Sequence, residues 1–537
     1  MSPTGISSGF ATAAGRLIED VDADAWGNVS VSVYETARVV SLAPQLAGNG
    51  PRLAWLMDQQ HTDGSWGDGP APYRLLPTLS AIEALLATVR RNTPPDSRHN
   101  WLVAAAGAGL AHLRAAGRRG PWPDTAAIEV LVPHLTSLIN EHLDQAGAAD
   151  GSGLGVLARG PRIAVPAGFR AELHQESARR YGSFAAVPPG LHHTFEGIPR
   201  PPGPLPPADV LPGGLLGSSP AATAALAATQ PRPDLRDEAG RALDGVAARY
   251  GGLFPEAAPL AVFERLWVAA ALTPRALPAT AVATAAAWAR RAITGDGVRG
   301  APGLLPDADD TAMAVLVTAL TSPPGDPVDP CPLAAFWAET HYHCYPGEST
   351  GSVTANAHAL QALNACAPDS ARQPHRDAVR DWLTGRQRPD GSWHDKWHAS
   401  PYYATLRCAD ALTGHPGPAA RTAVRAAARW VLDTQRADGT WGVWSATAEE
   451  SAYAVRTLEH AAARDLPGHH QALERARPHL ADIHRTPGHR HPPLWHDKTL
   501  YAPHAVIQAE LLTALDILHT RRTHGPQPAT APPGGPR

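Results

Sequence analysis

The chain has 537 residues, a formal net charge of −4 and 18% charged residues, a length that suits two or three domains and a balance that gives no electrostatic footprint for nucleic acid. No N-terminal basic-plus-apolar segment resembles a signal peptide, and no apolar run reaches the roughly 20 residues a bilayer span needs. Four scattered cysteines, Cys331, Cys344, Cys366 and Cys408, lack C-x-x-C spacing, so the expectation is a soluble cytoplasmic protein with reduced thiols.

Alanine is abundant, strand-like alternation is scarce, and breaks marked by Pro or Gly punctuate the chain roughly every 15 to 25 residues, which predicts short helices joined by turns. In chain order, a repeat is met first: Trp55-x4-Gln60-x2-Asp63-Gly64-Ser65-Trp66. A Pro-rich passage around Pro188 to Pro220 reads as a loop crossing between helical layers. A weak copy of the repeat follows from Trp288 to Asp296-Gly297, and full copies return as Trp382-x4-Gln387-x2-Asp390-Gly391-Ser392-Trp393 and Trp430-x4-Gln435-x2-Asp438-Gly439-Thr440-Trp441. Helix pairs repeating in this way stack or close into a ring, with Gln and Trp tying the turns together. The histidines between His469 and His491 lie among Arg, Pro and Gly without ligand spacing and read as a solvated loop. The end, from about His524 to Arg537, is Pro, Gly and Ala and is expected to be disordered.

After the weak copy comes Pro306-Asp307-Ala308-Asp309-Asp310-Thr311, three carboxylates in four residues at the mouth of an apolar helix. Burial and like-charge repulsion raise at least one pKa above the ordinary ~3.9. An acid protonated in such a place can donate to a carbon–carbon double bond and start a carbocation. A divalent-metal site and a simple N-terminal cap are the competing readings. The lysines carry a second signal. Among 46 basic residues there are two, Lys396 and Lys498, both in the tetrapeptide Trp-His-Asp-Lys, which suggests a compact ammonium for a diphosphate or for a buried pair with the adjoining Asp.

The Q-x-x-D-G-[S/T]-W repeats resemble the QW motifs of triterpene cyclases and related class II cyclases, and Asp307-Ala308-Asp309-Asp310 resembles their DxDD motif. Ser32-Val33-Tyr34-Glu35-Thr36-Ala37, His193-Thr194-Phe195-Glu196-Gly197, Trp393-His394-Asp395-Lys396-Trp397 and Trp495-His496-Asp497-Lys498-Thr499-Leu500-Tyr501 further resemble bacterial and plant class II diterpene cyclases. The resemblance runs from about residue 26 to 515. It implies an all-α fold of two α/α double-barrel domains with the active site between them. Residues 1–45 and 275–520 would form the β domain, 46–274 an inserted γ domain, and 521–537 a disordered tail.

The resemblance makes Asp309 the general acid, held protonated and aimed by Asp307 and Asp310. It implies a geranylgeranyl diphosphate substrate closed to a bicyclic labdane, clerodane or halimane diphosphate. No D-D-x-x-D motif is present, so the diphosphate is expected to survive for a downstream class I synthase. Trp397, Tyr402 and Tyr403 are candidate faces for the cation, with Lys396, Lys498 and Asn356 as further substrate contacts. Mg2+ is implied, with Glu129 and Asp124 as its carboxylates. In plant enzymes making ent-copalyl diphosphate, a His and an Asn position a water as terminating base; the His resembles His193, and the Asn position falls at Gly252, which points to a rearranged skeleton. The alternatives are a drimenyl-type cyclase acting on farnesyl diphosphate, a squalene-hopene-type cyclase, a protein prenyltransferase β subunit and a non-catalytic toroid.

Overall fold

The computed structural model describes residues 7–91, 98–115, 121–146, 154–199, 211, 214–229, 232–323, 326–346, 348, 350–366, 370–415, 417–460, 463–486 and 488–524. Helix α1 (Ser7–Ala23) opens the chain, and the smaller of two helical units follows it. That unit contains α2 (Val33–Leu42), α3 (Asn49–Asp58), α4 (Leu75–Arg91), α5 (His99–Ala115), α6 (Ile128–Gln145), α7 (Leu154–Ala158), α8 (Leu173–Arg180), a 3₁₀ segment (Pro189–Gly197), α9 (Pro220–Thr229) and α10 (Pro233–Arg249). Elements α2, α4, α6, the 3₁₀ segment and α9 pack each on the next, and α9 returns to α2, which closes a ring. Helices α3, α5, α7, α8 and α10 lie outside it.

The larger unit contains α11 (Ala261–Leu272), α12 (Ala279–Ala292), α13 (Ala308–Thr321), α14 (Val353–Ala365), α15 (Gln373–Thr384), α16 (Pro401–Thr413), α17 (Pro418–Asp433), α18 (Ala448–Glu459), α19 (His469–Arg485) and α20 (His504–His524). Among the described residues α11, α13, α14, α16, α18 and α20 form a second closed ring, and α1, α12, α15, α17 and α19 clad it. A helix with a ring neighbour on each side and an outer helix behind it has no solvent face, so its sequence is small and apolar all round. Helix α13 accordingly buries every residue from Asp310 to Val317. Two short antiparallel ribbons interrupt the helices: β1 (Trp337–Ala338) with β2 (His341–Tyr342), and β3 (Trp495–His496) with β4 (Leu500–Tyr501).

The repeat is a turn lock. Gln60 donates to the Gly64 and Ala105 carbonyls at 3.1 and 3.0 Å, and the Trp66 indole donates to Leu56 at 2.6 Å. Gln387 and Trp393, then Gln435 and Trp441, make the same bonds in their own turns. The backbone N–H of each final Trp meets a hydroxyl on the following inner helix: Thr78, Thr405 and Ser451. In the weak copy Val298 takes the Trp slot and donates to Thr311 at 2.9 Å. The lock therefore seats the acidic motif at the N-terminus of α13.

Three sequence expectations need correction. His469–Arg485 is helical, because Ala472, Leu473, Ala476 and Leu480 make a buried stripe at helical spacing. Helix α2 packs on α4 and α9, and α11 packs on α13 and α20, so the crossings between units fall before residue 33 and before residue 261, not at 45 and 274. Helix α20 runs on to His524, four residues into the expected tail, and the rest of that tail lies outside the described residues. Residues 200–210 of the Pro-rich passage also lie outside them.

Candidate active site

A cavity of about 730 Å³ lies between the two units. The smaller ring lends Ala126, Ala127, Glu129, Pro189, Gly190, Leu191, His193 and Thr194, and the larger ring lends the remaining walls, including all three motif aspartates. Exposed Glu129, Pro189, Gly190 and Pro346 mark its mouth. A second cavity of about 600 Å³, walled by α1, α11 and α20, holds none of the candidate catalytic or substrate residues.

Asp307 is the N-cap of α13, and its carboxylate accepts the Asp310 backbone N–H at 2.7 Å. Burial pushes its pKa up to about 7, against hydrogen bonds from Asp310 that stabilise the charge and with the Asp309 charge adding to the rise. Burial also raises Asp310 well above the carboxylate range, helped by Asp307 at its side. The two acids thus share protons at the foot of α13, on the cavity wall. Asp309 turns the other way, half-buried on the wall, with Oδ1 2.5 Å from Nδ1 of fully buried His358 on α14.

Facing the acids are Phe263 and Trp267 of α11, Tyr403 of α16, and Trp397, Trp495, Tyr345 and Tyr501. The Trp267 indole N–H donates to the Tyr403 hydroxyl at 2.8 Å, and the Trp495 indole N–H to Glu449 at 2.7 Å. These bonds fix ring planes; Tyr403 and Trp495 have centroids 4.7 Å apart, Phe263 and Trp267 4.4 Å. Fixed aromatic faces stabilise a cation without supplying a lone pair to capture it.

The two Trp-His-Asp-Lys copies do different work. In the first, Asp395 accepts from the Val353 and Thr354 N–H groups and so caps α14, while Lys396 pairs with Glu348 at the cavity edge and donates to the Thr350 carbonyl at 3.0 Å. In the second, Lys498 is fully buried away from the cavity and bonds Glu35 at 2.6 Å, Glu196 at 2.8 Å and Ser219 at 2.7 Å. The ammonium meets carboxylates of the smaller unit, not a diphosphate and not the adjoining Asp497. Burial works against its charge and the two Glu override it, raising its pKa.

His193 and Trp397 line the cavity as expected, as does Tyr403. Tyr402 does not; it packs on Trp430 at 4.6 Å between α16 and α17. Asn356 is buried and spends its amide on Tyr342, accepting from its N–H at 2.8 Å and donating to its carbonyl at 2.9 Å. Gly252 does not face His193; its carbonyl accepts from Arg52 at 2.7 Å, away from the cavity lining. The case for a rearranged skeleton drawn from that residue falls with it. Asp124 is exposed and outside the cavity, which leaves Glu129 alone at the mouth. Among the described residues no group of three or more His, Cys, Asp or Glu converges as a metal cage.

Sequence reasoning passed over His358, two residues beyond Asn356 on a helix where alternate residues face different neighbours. It also passed over Asp497, whose motif had been noticed for its lysine, and over Phe263 and Trp267.

Residues 347–465 match the squalene-hopene cyclase C-terminal domain family. Copalyl diphosphate synthase of Streptomyces cyslabdanicus is 55% identical over 522 residues, covering 96% of this chain and 97% of that protein. The chain belongs to the bacterial class II diterpene cyclases. Labda-7,13-dienyl diphosphate synthase of Streptomyces clavuligerus is 45% identical to this cyclase over 97% of the chain and 95% of that relative. The solved structure of ent-copalyl diphosphate synthase from Streptomyces platensis matches the cyclase with a TM-score of 0.86 at 39% identity, covering 95% of this chain and 100% of that one. The double-barrel architecture and the diterpene cyclase assignment both stand. No helix among the described residues is long and apolar enough to cross a membrane.

Proposed function

We propose that this cyclase converts geranylgeranyl diphosphate to a labdane-type bicyclic diphosphate, with Asp309 as the proton donor. The observation that carries the reading is Asp309 itself, held by His358 on the wall of an aromatic cavity with the proton-sharing pair Asp307 and Asp310 behind it. The sequence of events follows from this placement. Asp309 protonates the terminal alkene, and the His358 N–H holds the carboxylate that remains. Inner double bonds then trap the charge in turn under Phe263, Trp267, Tyr403 and Trp495. The copalyl and labdadienyl products in the names of the relatives support the labdane skeleton.

Glu129 fits a Mg2+ that arrives with the diphosphate, since such an ion needs one or two protein carboxylates besides phosphate oxygens; bound there, it would neutralise diphosphate charge at the mouth. Lys396 stands at the cavity edge for the same end of the substrate. Because the diphosphate is retained, a reaction that ionises an allylic diphosphate, a class I synthase step, must consume the product. The four unpaired cysteines support a reducing cytoplasm.

The test is incubation with geranylgeranyl or farnesyl diphosphate, with Mg2+ or with chelator, followed by dephosphorylation and mass spectrometry. The expected outcome is a bicyclic diterpene alcohol from the twenty-carbon substrate. Asp309→Asn keeps the shape and removes the acidic proton, so turnover should drop by about three orders of magnitude or more at an unchanged melting temperature. A folded Asp309→Asn enzyme with near-normal turnover would sink the mechanism.

A further inference from the structure

A cation made by protonation ends by losing a proton or by capturing water, and where an alkene is formed the residue that takes the proton decides which one. His193 is the family-like candidate, yet both of its ring nitrogens are committed in a way that settles their hydrogens. Nδ1 lies 2.6 Å from the Gly217 carbonyl, which can only accept, so Nδ1 carries a hydrogen. Nε2 lies 2.9 and 3.0 Å from the two oxygens of Asp497. A protonated carboxyl would aim one O–H at the ring and hold its other oxygen off; near-equal distances fit one N–H shared between two carboxylate oxygens. The ring then has hydrogens on both nitrogens and no lone pair to offer. Its electrostatic surroundings agree: burial opposes the charge on His193, but Asp497 overrides it and raises the pKa. Burial likewise opposes charge on Asp497, and His193 and Lys498 override it and lower that pKa.

We infer that the Asp497 carboxylate takes the terminating proton, and that His193 is its positioning residue. Asp497 sits in the turn between β3 and β4, with its side chain 18% exposed and lining the cavity. The other lining carboxylates outside the acidic motif are worse placed: Glu129 is at the solvent mouth, and Glu348 is held by Lys396 and by the Cys344 N–H at 2.8 Å. His496 also lines the cavity, but its ring lies between the Lys396 carbonyl at 2.6 Å and the Tyr73 hydroxyl at 3.1 Å.

The step balances without a co-reactant. The C–H bond beside the cationic carbon breaks, its electron pair becomes the new π bond, and the proton moves to an Asp497 oxygen. A tertiary cation is so strong an acid that a weak carboxylate base suffices. Tying both oxygens to one imidazolium also restrains the carboxylate from attacking the cation to form an ester. The groups facing Asp497 are His193 of the 3₁₀ segment, Lys498 beside it, Glu256 ahead of α11, and the phenols of Tyr345 and Tyr501. Lys498 stays charged and both phenols stay neutral. Glu256 accepts from the Thr499 N–H and hydroxyl, both at 2.6 Å, and does not line the cavity.

This inference rests on the proton-initiated reading above, and one experiment separates the two. The wild type, Asp497→Asn and His193→Gln are incubated with geranylgeranyl diphosphate between about pH 5.5 and 9, and both substrate consumption and the ratio of products are measured. Asp497→Asn should still consume substrate while the native alkene's share falls about tenfold or more in favour of hydroxylated or isomeric products. His193→Gln should turn over more slowly but keep the native alkene, and the wild-type product ratio should not change with pH. An unaltered profile in Asp497→Asn overturns the inference. So does a wild-type alkene share that falls as pH is lowered through the imidazole range, a readout that needs no variant to fold. A wild type that leaves the substrate untouched would instead overturn the cyclase reaction itself.

Discussion

At the residue scale, the chemistry is divided among acids that look alike in sequence. Three aspartates within four positions were legible as an unusual cluster, and the resemblance singled out Asp309. The cap was among the readings, since Asp307 needs only the N–H three residues on; that His358 grips Asp309 from another helix depends on a contact 49 residues apart that no local pattern encodes. A pH dependence follows from the pair behind the donor. Asp307 titrates at about 7 in the folded protein, above the ordinary ~3.9, so between those values the folded state holds a proton that the unfolded chain has lost. By linkage, Asp307's contribution to stability is full below about pH 4 and is lost as pH rises through about 7. The same deprotonation removes the proton that the pair holds in reserve behind Asp309. Turnover at saturating substrate should therefore fall as pH rises above about 7, with the melting temperature lower at pH 8 than at pH 5.5. A kcat that stays level to pH 9 would show that the pair does not supply the acid.

At the element scale, the Q-x-x-D-G-[S/T]-W repeat was read correctly as a turn device because identical spacing implies identical geometry, and three copies make the same bonds. The glycine is the least replaceable part. Gly391 has φ +97°, and a Cβ there would stand 2.5 Å from the Ala426 carbonyl oxygen; Gly64 and Gly439 face the same obstacle at the same distance. Gly468 also has positive φ, but nothing lies within 4 Å of its added Cβ. Gly391→Ala should cost about 3 kcal/mol, left-handed strain plus overpacking. Gly468→Ala should cost the strain alone, about 1 to 2 kcal/mol. Thermal melts of the two variants side by side check this, and equal losses would mean the close carbonyl adds nothing. Helix α19 was misread at this same scale, since its Arg residues and its histidines after buried His469 lie toward solvent and only its buried stripe of alanine and leucine reports the helix.

At the scale of the whole molecule, two rings are joined through polar groups that sequence reading assigned elsewhere. Lys498, on the ribbon of the larger unit, is clamped by Glu35 of α2 and Glu196 of the 3₁₀ segment in the smaller one. Its rarity in an Arg-rich chain was informative; its partners, 302 and 463 residues away, were not foreseeable. Lys498→Met strands two buried carboxylates and should cost about 3 to 5 kcal/mol, read as a large drop in melting temperature with little change in substrate KM. A raised KM at unaltered stability would return Lys498 to the substrate. Unit boundaries were misplaced for a related reason, because α2 and α11 resemble their neighbours in composition and only packing shows which ring each one closes. The space between the rings opens past Glu129, Pro189, Gly190 and Pro346. A prenyl tail passes such an opening end-on, as a thread, with its rotors free to follow any bend. What must come out is a bead, a fused pair of rings that can neither bend nor unthread. Arrival and departure through one doorway are therefore unequal journeys, and it is the outward one that asks the seam between the rings to spread.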